Sequence, residues 1–358
     1  MKVLFDLFPV SFTPQNGVFV YAERILDGWH RAGVEDVVVM TNQWLSERVR
    51  QLCPRYQVIT VDMSIQGNYT LRCLRAGYDR LRAINHSGCD VVFYPMPDPW
   101  FFQTPKIPQV SVIHDIAPGR YRWYQTRWMR PYQIRHCRKL IAISEYTKRE
   151  ALRVYPFLHP EGVEVIYNAV PYDGHSYAPL IEGRYVLNVN TLHPYKNADT
   201  LVRAFGLLRG HDDLRLVLVG RDIDGRVAAL RSLAQNCADR LVHRFDLSDN
   251  ELTALYQHAT LFVTPSTIEG FGQTPIEAAM QECPVISSRE TALPESTMGL
   301  VDYYEPVDSP EALAAVMQRV LDHPVPAQRL NRIAQTFRQS YDVVGQSLKV
   351  YRCVCGVI

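Results

Sequence analysis

The chain carries almost no net charge: 38 Lys and Arg against 37 Asp and Glu leave +1 over 358 residues. A dedicated nucleic-acid binder draws its affinity from a basic excess, so that class is disfavoured at the outset. No apolar run approaches the roughly 20 residues that span a bilayer. In the opening Met1-Lys-Val-Leu-Phe-Asp6 a carboxylate interrupts the apolar run too early for a secretory leader. The eight cysteines are scattered and form no Cys-x-x-Cys pair, which leaves zinc and dithiol motifs without support. They read as reduced, mostly buried thiols of a cytoplasmic protein. Neither an internal repeat nor a low-complexity tract is present. What remains is 47% hydrophobic and 21% charged, the composition of a chain with a substantial core and the length of two ordinary domains.

Short apolar runs at 3–7, 37–40, 58–61, 91–94, 110–113, 140–143 and 163–166 predict a first set of strands. Helical patterns lie between most of them, as at 19–31 and 71–84. Runs at 185–189, 214–219, 241–243, 261–263 and 285–287 predict a second set, separated by helical stretches near 198–208, 227–234, 249–258, 276–281 and 310–321. Strands alternating with helices imply parallel sheets covered on both faces, hence an α/β chain with two doubly wound domains. The stretch from Pro171 to Pro179, rich in Pro, Gly and polar residues, reads as the linker. The expected division is 1–172 and 173–339, with a terminal helix over about 340–358 packing back on the first domain.

The most informative segment is Glu269-Gly-Phe-Gly-Gln-Thr-Pro-Ile-Glu277. An apolar strand precedes it and a helix follows, so its glycines fall where a phosphate would meet helix N-terminal amides. Gly270 and Gly272 let the backbone approach a ligand. Thr274 suits the helix cap and Pro275 the first helical position. Thr274 and Glu277 then have the spacing of a capping box, a purely structural alternative for the second glutamate.

Several blocks together resemble glycosyltransferase family four, of the GT-B fold. They are Gly17-Val-Phe-Val-Tyr-Ala-Glu23, Val112-Ile-His114-Asp115, Ala142-Ile-Ser-Glu-Tyr-Thr-Lys148, Val165-Ile-Tyr-Asn-Ala-Val170, Asn190-Thr-Leu-His-Pro-Tyr-Lys196-Asn197, Leu218-Val-Gly220 and the segment from Pro265 to Glu277. The resemblance implies two facing Rossmann-like domains and a retaining, metal-independent transfer of a sugar from a nucleotide-sugar, with no cofactor. By the same resemblance Glu277 would hold the ribose hydroxyls, and Glu269 would contact the transferred sugar. The amides of Gly272, Gln273 and Thr274 would face the diphosphate, with Gly270 and Phe271 in the same loop. Lys196 would neutralise the diphosphate and His114 would line the sugar pocket. Gly17 and Asp115 would belong to the acceptor side.

One departure stands out. The family usually has glycine at the position of Asn190 and often arginine at that of Thr191, or arginine at that of Tyr195. Lys196 would then act with another cation, for which Arg221, directly after Gly220, is the candidate. Ser144 suits a helix cap better than a catalytic role.

Between Arg120 and Lys139, basic residues interleave with Tyr121, Trp123, Tyr124, Trp128 and Tyr132. Such a segment could meet an anionic membrane surface or an acidic acceptor, or simply pack its aromatics inward. The expected function is transfer of a hexose, with mannose from GDP-mannose the leading donor, onto a glycan or polyprenyl-linked acceptor in bacterial surface polysaccharide synthesis. The expected location is the cytoplasm or the inner face of the plasma membrane. The alternatives are a sugar-nucleotide epimerase of the same fold and a degenerate partner that has lost transfer.

Overall fold

The computed structural model describes residues 1–10, 17–62, 69–97, 104–116 and 128–358. The chain divides into two units, Met1–Ala169 with Val343–Ile358, and Val170–Asp342.

The first unit is built on β1 (Val3–Asp6), β2 (Val37–Asn42), β3 (Gln57–Val61), β4 (Val91–Tyr94), β5 (Gln109–Ile113), β6 (Lys139–Ala142) and β7 (Val163–Val165). Their order is β3-β2-β1-β4-β5-β6-β7 and every neighbouring pair is parallel. The described helices are α1 (Gly17–Arg31), α2 (Ser46–Leu52), α3 (Tyr69–Asn85), α4 (Arg130–His136) and α5 (Glu145–Val154). Chain order reverses between β1 and β4, the switch point at which open parallel sheets bind ligands. Strands buried on both faces read as unbroken apolar runs, which is why Val-Leu-Phe and Val-Val-Phe-Tyr have no alternation. Ser144 caps α5 by accepting the Thr147 N–H at 3.0 Å, as expected.

At the carboxyl end of β1, Asp6 pairs with Arg80 of α3 at 2.7 Å, and both side chains are buried. The Arg80 guanidinium also lies over the Tyr94 ring, 5.3 Å from its centroid. Beneath, the Phe5 ring packs edge to face with both Trp29 and Phe93, its centroid 5.2 Å from the first and 5.0 Å from the second.

The last helix, α13 (Val343–Cys355), belongs to this unit and packs on α1. Trp29 Nε1 donates to Ser347 O at 2.6 Å across that contact. Gly28 is what lets the helices approach, since a Cβ there would sit 2.5 Å from Ser347 Cβ and 2.9 Å from Val343 O. Gly28→Ala should therefore cost about 1–3 kcal/mol despite alanine's better helix propensity. Thermal denaturation decides it: an unchanged or raised melting temperature would mean that the contact is loose.

The second unit holds β8 (Tyr185–Val189), β9 (Arg215–Val219), β10 (Leu241–Arg244), β11 (Leu261–Thr264), β12 (Val285–Ser288) and β13 (Asp302–Tyr304), in the order β10-β9-β8-β11-β12-β13, all parallel. Its helices are α6 (Ala198–Gly206), α7 (Arg226–Ala234), α8 (Asp249–His258), α9 (Gln273–Met280), α10 (Leu293–Ser296), α11 (Pro310–Asp322) and α12 (Ala327–Ser340). Leu201, Phe205, Leu216, Leu218 and Met317 form the centre of one apolar layer. The expected strands are all present; β13, three residues long and half-exposed, was not foreseen.

Among the described residues no helix is long and apolar enough to cross a membrane. The seven described cysteines are free thiols. Burial pushes the Cys137 thiol up to about 12, so it is an inert apolar filler rather than a nucleophile.

Candidate active site

The site of the second unit is assembled from two loops at the carboxyl ends of β8 and β11. After β8 the Asn190 N–H donates to Val219 O at 3.0 Å, which carries the β8 pairing one step further. The chain then makes a short 3-10 turn, Pro194–Lys196, and Asn197 takes a left-handed conformation at φ 56 before α6. Asparagine tolerates that conformation better than most residues. Its side chain is fixed at both ends, accepting from Thr200 Oγ1 at 2.8 Å and donating to Val307 O at 2.8 Å. The turn brings Lys196 to Glu269: Nζ lies 2.6 Å from Oε1, and each side chain is 15% exposed. Two residues 73 apart in sequence, expected in separate roles at the donor, are thus brought into direct contact. Lys196 Nζ also lies 5.3 Å from the Tyr195 ring centroid, and the His193 ring stacks on the same tyrosine with centroids 5.4 Å apart.

The second loop is stitched to the first. Thr267 donates both its N–H and its hydroxyl to Tyr195 O, at 2.9 and 3.0 Å. Gly272, at φ 83, is the N-cap of α9, which begins at Gln273. This corrects the expected cap: Thr274 is the second residue of the helix, Pro275 the third, and the capping box drawn between Thr274 and Glu277 has no place. The reason is steric. The chain enters α9 in a conformation that glycine adopts freely, and a Cβ at Gly272 would sit 2.5 Å from Leu293 Cδ2. The unbonded amides of the first turn, with the positive end of the helix dipole, therefore begin two residues nearer Glu269. Glu277 lies in the second turn and accepts the Tyr256 hydroxyl at 3.0 Å. Phe271 is buried with its ring edge on Tyr341, 5.3 Å between centroids.

Gly220 follows β9 beside the lysine loop, its N–H donating to Arg244 O at 3.0 Å and its carbonyl 2.8 Å from His243 Nε2. Asn190 is tied to the sheet by an amide relay: its Nδ2 donates to Asn188 Oδ1 at 2.6 Å, and Asn188 Nδ2 donates to Val263 O at 2.7 Å. Arg221 and Thr191 are both exposed, and Arg221 O accepts weakly from Leu192 N–H at 3.5 Å. An Asp-x-Asp pair that sequence reading passed over, Asp222-Ile-Asp224, lies in the loop after Arg221. Asp222 Oδ1 accepts the Val227 N–H at 3.1 Å and so caps a turn. Among the described residues no three His, Cys, Asp or Glu side chains converge.

In the first unit His114 follows β5 and is half-buried. Its Nε2 lies 2.7 Å from Pro95 O, so that nitrogen carries the proton and donates. The Tyr21 ring packs edge-on against it at 4.7 Å, and burial pushes the Tyr21 phenol well above its ordinary value. Asp115 O accepts from Arg130 Nη2 at 3.3 Å, which ties the loop after β5 to α4. Gly17 is the first residue of α1 rather than the turn before it, with open space where a Cβ would stand. Residues 120–127 of the basic aromatic segment, with Tyr121, Trp123 and Tyr124, lie outside the described residues.

Two doubly wound parallel units are the architecture of the GT-B fold. The chain belongs to glycosyltransferase family four. The family model described as Glycosyltransferase Family 4 matches residues 15–173, and that described as Glycosyl transferases group 1 matches 179–338. The chain is similar to the O-antigen chain mannosyltransferase RfbU of Salmonella typhimurium, 29% identical over 50% of this chain and 52% of that protein. It is also similar to the MMP alpha-(1->4)-mannosyltransferase of Mycolicibacterium hassiacum, 28% identical over 68% of this chain and 65% of the relative. These matches span from about half to just under two thirds of the two relatives' lengths. Among solved structures, Anabaena HepE in complex with UDP-glucose superposes with a TM-score of 0.77 at 17% identity, covering 99% of this chain and 100% of that one.

Proposed function

We propose that the protein is a retaining hexosyltransferase that takes its sugar from a nucleotide-sugar without a metal ion. The observation that carries this reading is the 2.6 Å Lys196–Glu269 pair beside the start of α9. In the reaction the bond between the anomeric carbon and a phosphate oxygen breaks. The acceptor hydroxyl oxygen bonds that carbon on the same face, and the hydroxyl proton leaves with the nucleoside diphosphate. Negative charge grows on the leaving group, so a fixed ammonium and aligned first-turn amides lower the barrier. Lys196 and the amides of Gly272, Gln273 and Thr274 fill that role, with Arg221 as the second cation. Glu269 takes hydroxyls of the sugar by charge-assisted hydrogen bonds. Glu277 holds the ribose. In the first unit His114 is assigned to the sugar, and Gly17 and Asp115 to the acceptor.

Mannose is the leading sugar, because two of the similar proteins are named mannosyltransferases. GDP-mannose is then the leading donor, and a glycan or polyprenyl-linked glycan of bacterial surface polysaccharide the leading acceptor class. Release of GDP from GDP-mannose, with and without a lipid-linked glycan acceptor, tests the reading. Acceptor-dependent release supports it. Interconversion of the sugar-nucleotide without release would instead make the protein an epimerase, and silence with every donor would make it a degenerate partner.

Glu277→Ala should weaken binding of the nucleoside diphosphate about 10- to 100-fold, the loss of charge-assisted hydrogen bonds. Calorimetric titration with GDP and UDP measures it. A fall in melting temperature with affinity intact would assign Glu277 a structural role, of which its hydrogen bond with Tyr256 is part.

A further inference from the structure

The connection from β12 to α10 follows the donor loop at three points. Ser288 Oγ donates to Ser266 O at 2.6 Å. Thr291 Oγ1 accepts the Glu269 N–H at 2.9 Å. Leu293, fully buried, fills the space that a Cβ at Gly272 would need. The loop that carries the sugar-contacting carboxylate is thus laid on a second, anchored segment, and the middle contact is made to Glu269 itself.

Thr291 makes that contact from an unfavourable conformation. Its φ is 54, in the left-handed region. The other non-glycine residues with positive φ among those described are Asn197, Asp224, Asp246, Glu282 and Met298, so Thr291 alone is β-branched. A β-branched residue is a true outlier there, and such residues persist where the surroundings over-determine them, commonly at functional sites. Glycine would make the same turn without strain. Glycine has no side-chain oxygen to receive the Glu269 N–H.

We infer that Thr291 is a positioning residue for the transfer reaction: its hydroxyl fixes the backbone of Glu269 while Lys196 fixes the carboxylate. With the backbone held at Thr291 and the side chain held at Lys196, the carboxylate keeps one orientation before any sugar arrives. This inference rests on the reading of Glu269 as a sugar contact. The chemistry of the partner is an N–H donor, so an isosteric methyl in place of the hydroxyl removes the contact and keeps the shape and the strain.

The test compares Thr291→Val, Thr291→Ser and Thr291→Ala with the wild-type chain. In the ligand-free protein, amide exchange at Glu269 should accelerate about five- to tenfold in the valine and alanine variants and stay near the wild-type rate in serine. Hydrolysis of GDP-mannose or UDP-glucose, whichever the wild type accepts, should lose about 10- to 100-fold in kcat with valine and recover most of it with serine. Affinity for GDP and UDP should change by less than about threefold, since the nucleotide is held elsewhere. Wild-type exchange in the valine variant, or equal turnover by valine and wild type, would overturn the inference. A wild-type chain that binds and turns over no nucleotide-sugar would overturn the proposed function and, with it, the catalytic half of the inference. The exchange rates would still decide whether Thr291 holds the loop.

Discussion

Replacing Lys196 by alanine should lower the rate of sugar transfer by about 10²–10³-fold, which is the loss that follows removal of one preorganised donor from a developing oxyanion. The effect should fall on both donor binding and kcat, because Lys196 meets diphosphate charge already present in the bound donor and greater still in the transition state. The structure separates this from a stability effect. Lys196 and Glu269 are each 15% exposed, so breaking their pair leaves a carboxylate that water can partly reach. The stability cost should be about 1–2 kcal/mol, less than that of a fully buried pair. For a unit of this size that is a fall of several degrees at most, about 2–4 °C per kcal/mol. Steady-state kinetics beside a thermal melt therefore distinguish the two. Full activity in Lys196→Ala would reduce Lys196 to a surface ion pair. A collapse of the melting temperature together with activity would make it a structural lysine.

Gly220→Ala should be the most damaging small substitution in the second unit. An added Cβ would overlap the Asn190 carbonyl oxygen outright and sit 2.7 Å from its carbonyl carbon. Both obstacles are backbone, and Asn190 is fixed to β9 by its N–H and to the sheet through Asn188, so neither can swing aside. The φ of 149 adds strain that alanine cannot relieve. Overpacking and backbone strain together amount to about 3–5 kcal/mol. The expected result is a melting temperature lowered by roughly 10 °C and a lysine loop displaced from Glu269. Nucleotide binding should fall with it. A variant that melts and binds like wild type would mean that the β8 and β9 loops part easily, and that the close approach is not what sets the lysine loop.

The contrast between these two positions explains what the sequence could disclose. Lys196 and Glu269 were legible because each sits in a block with a recognisable pattern of residue types. That they touch was not legible, because 73 residues separate them and only the sheet order brings β8 and β11 together. The strands were read nearly to the residue, since a parallel strand buried on both faces is an uninterrupted apolar run. β13 broke that rule: Asp302-Tyr-Tyr304 is short and half-exposed, and no run announces it. The helix cap was misread at Thr274 because Thr-Pro-Ile-Glu has the right spacing, while the deciding fact is the left-handed φ of Gly272 under Leu293. Thr291 gave no signal at all. Its role comes from a backbone angle and one hydrogen bond, and neither leaves a mark on residue type.

The most direct test of the account is a thermal-shift panel on the wild-type chain and Lys196→Ala with GDP-mannose, UDP-glucose, UDP-N-acetylglucosamine, dTDP-rhamnose, GDP and UDP. A ligand that binds only the folded state adds stability by mass action, about 2.7 kcal/mol at a hundredfold excess over Kd. The account predicts that one nucleotide family raises the wild-type melting temperature by several degrees and that the same ligands move Lys196→Ala much less. No shift with any of them, or an equal shift in both proteins, would contradict a donor site built on Lys196 and Glu269.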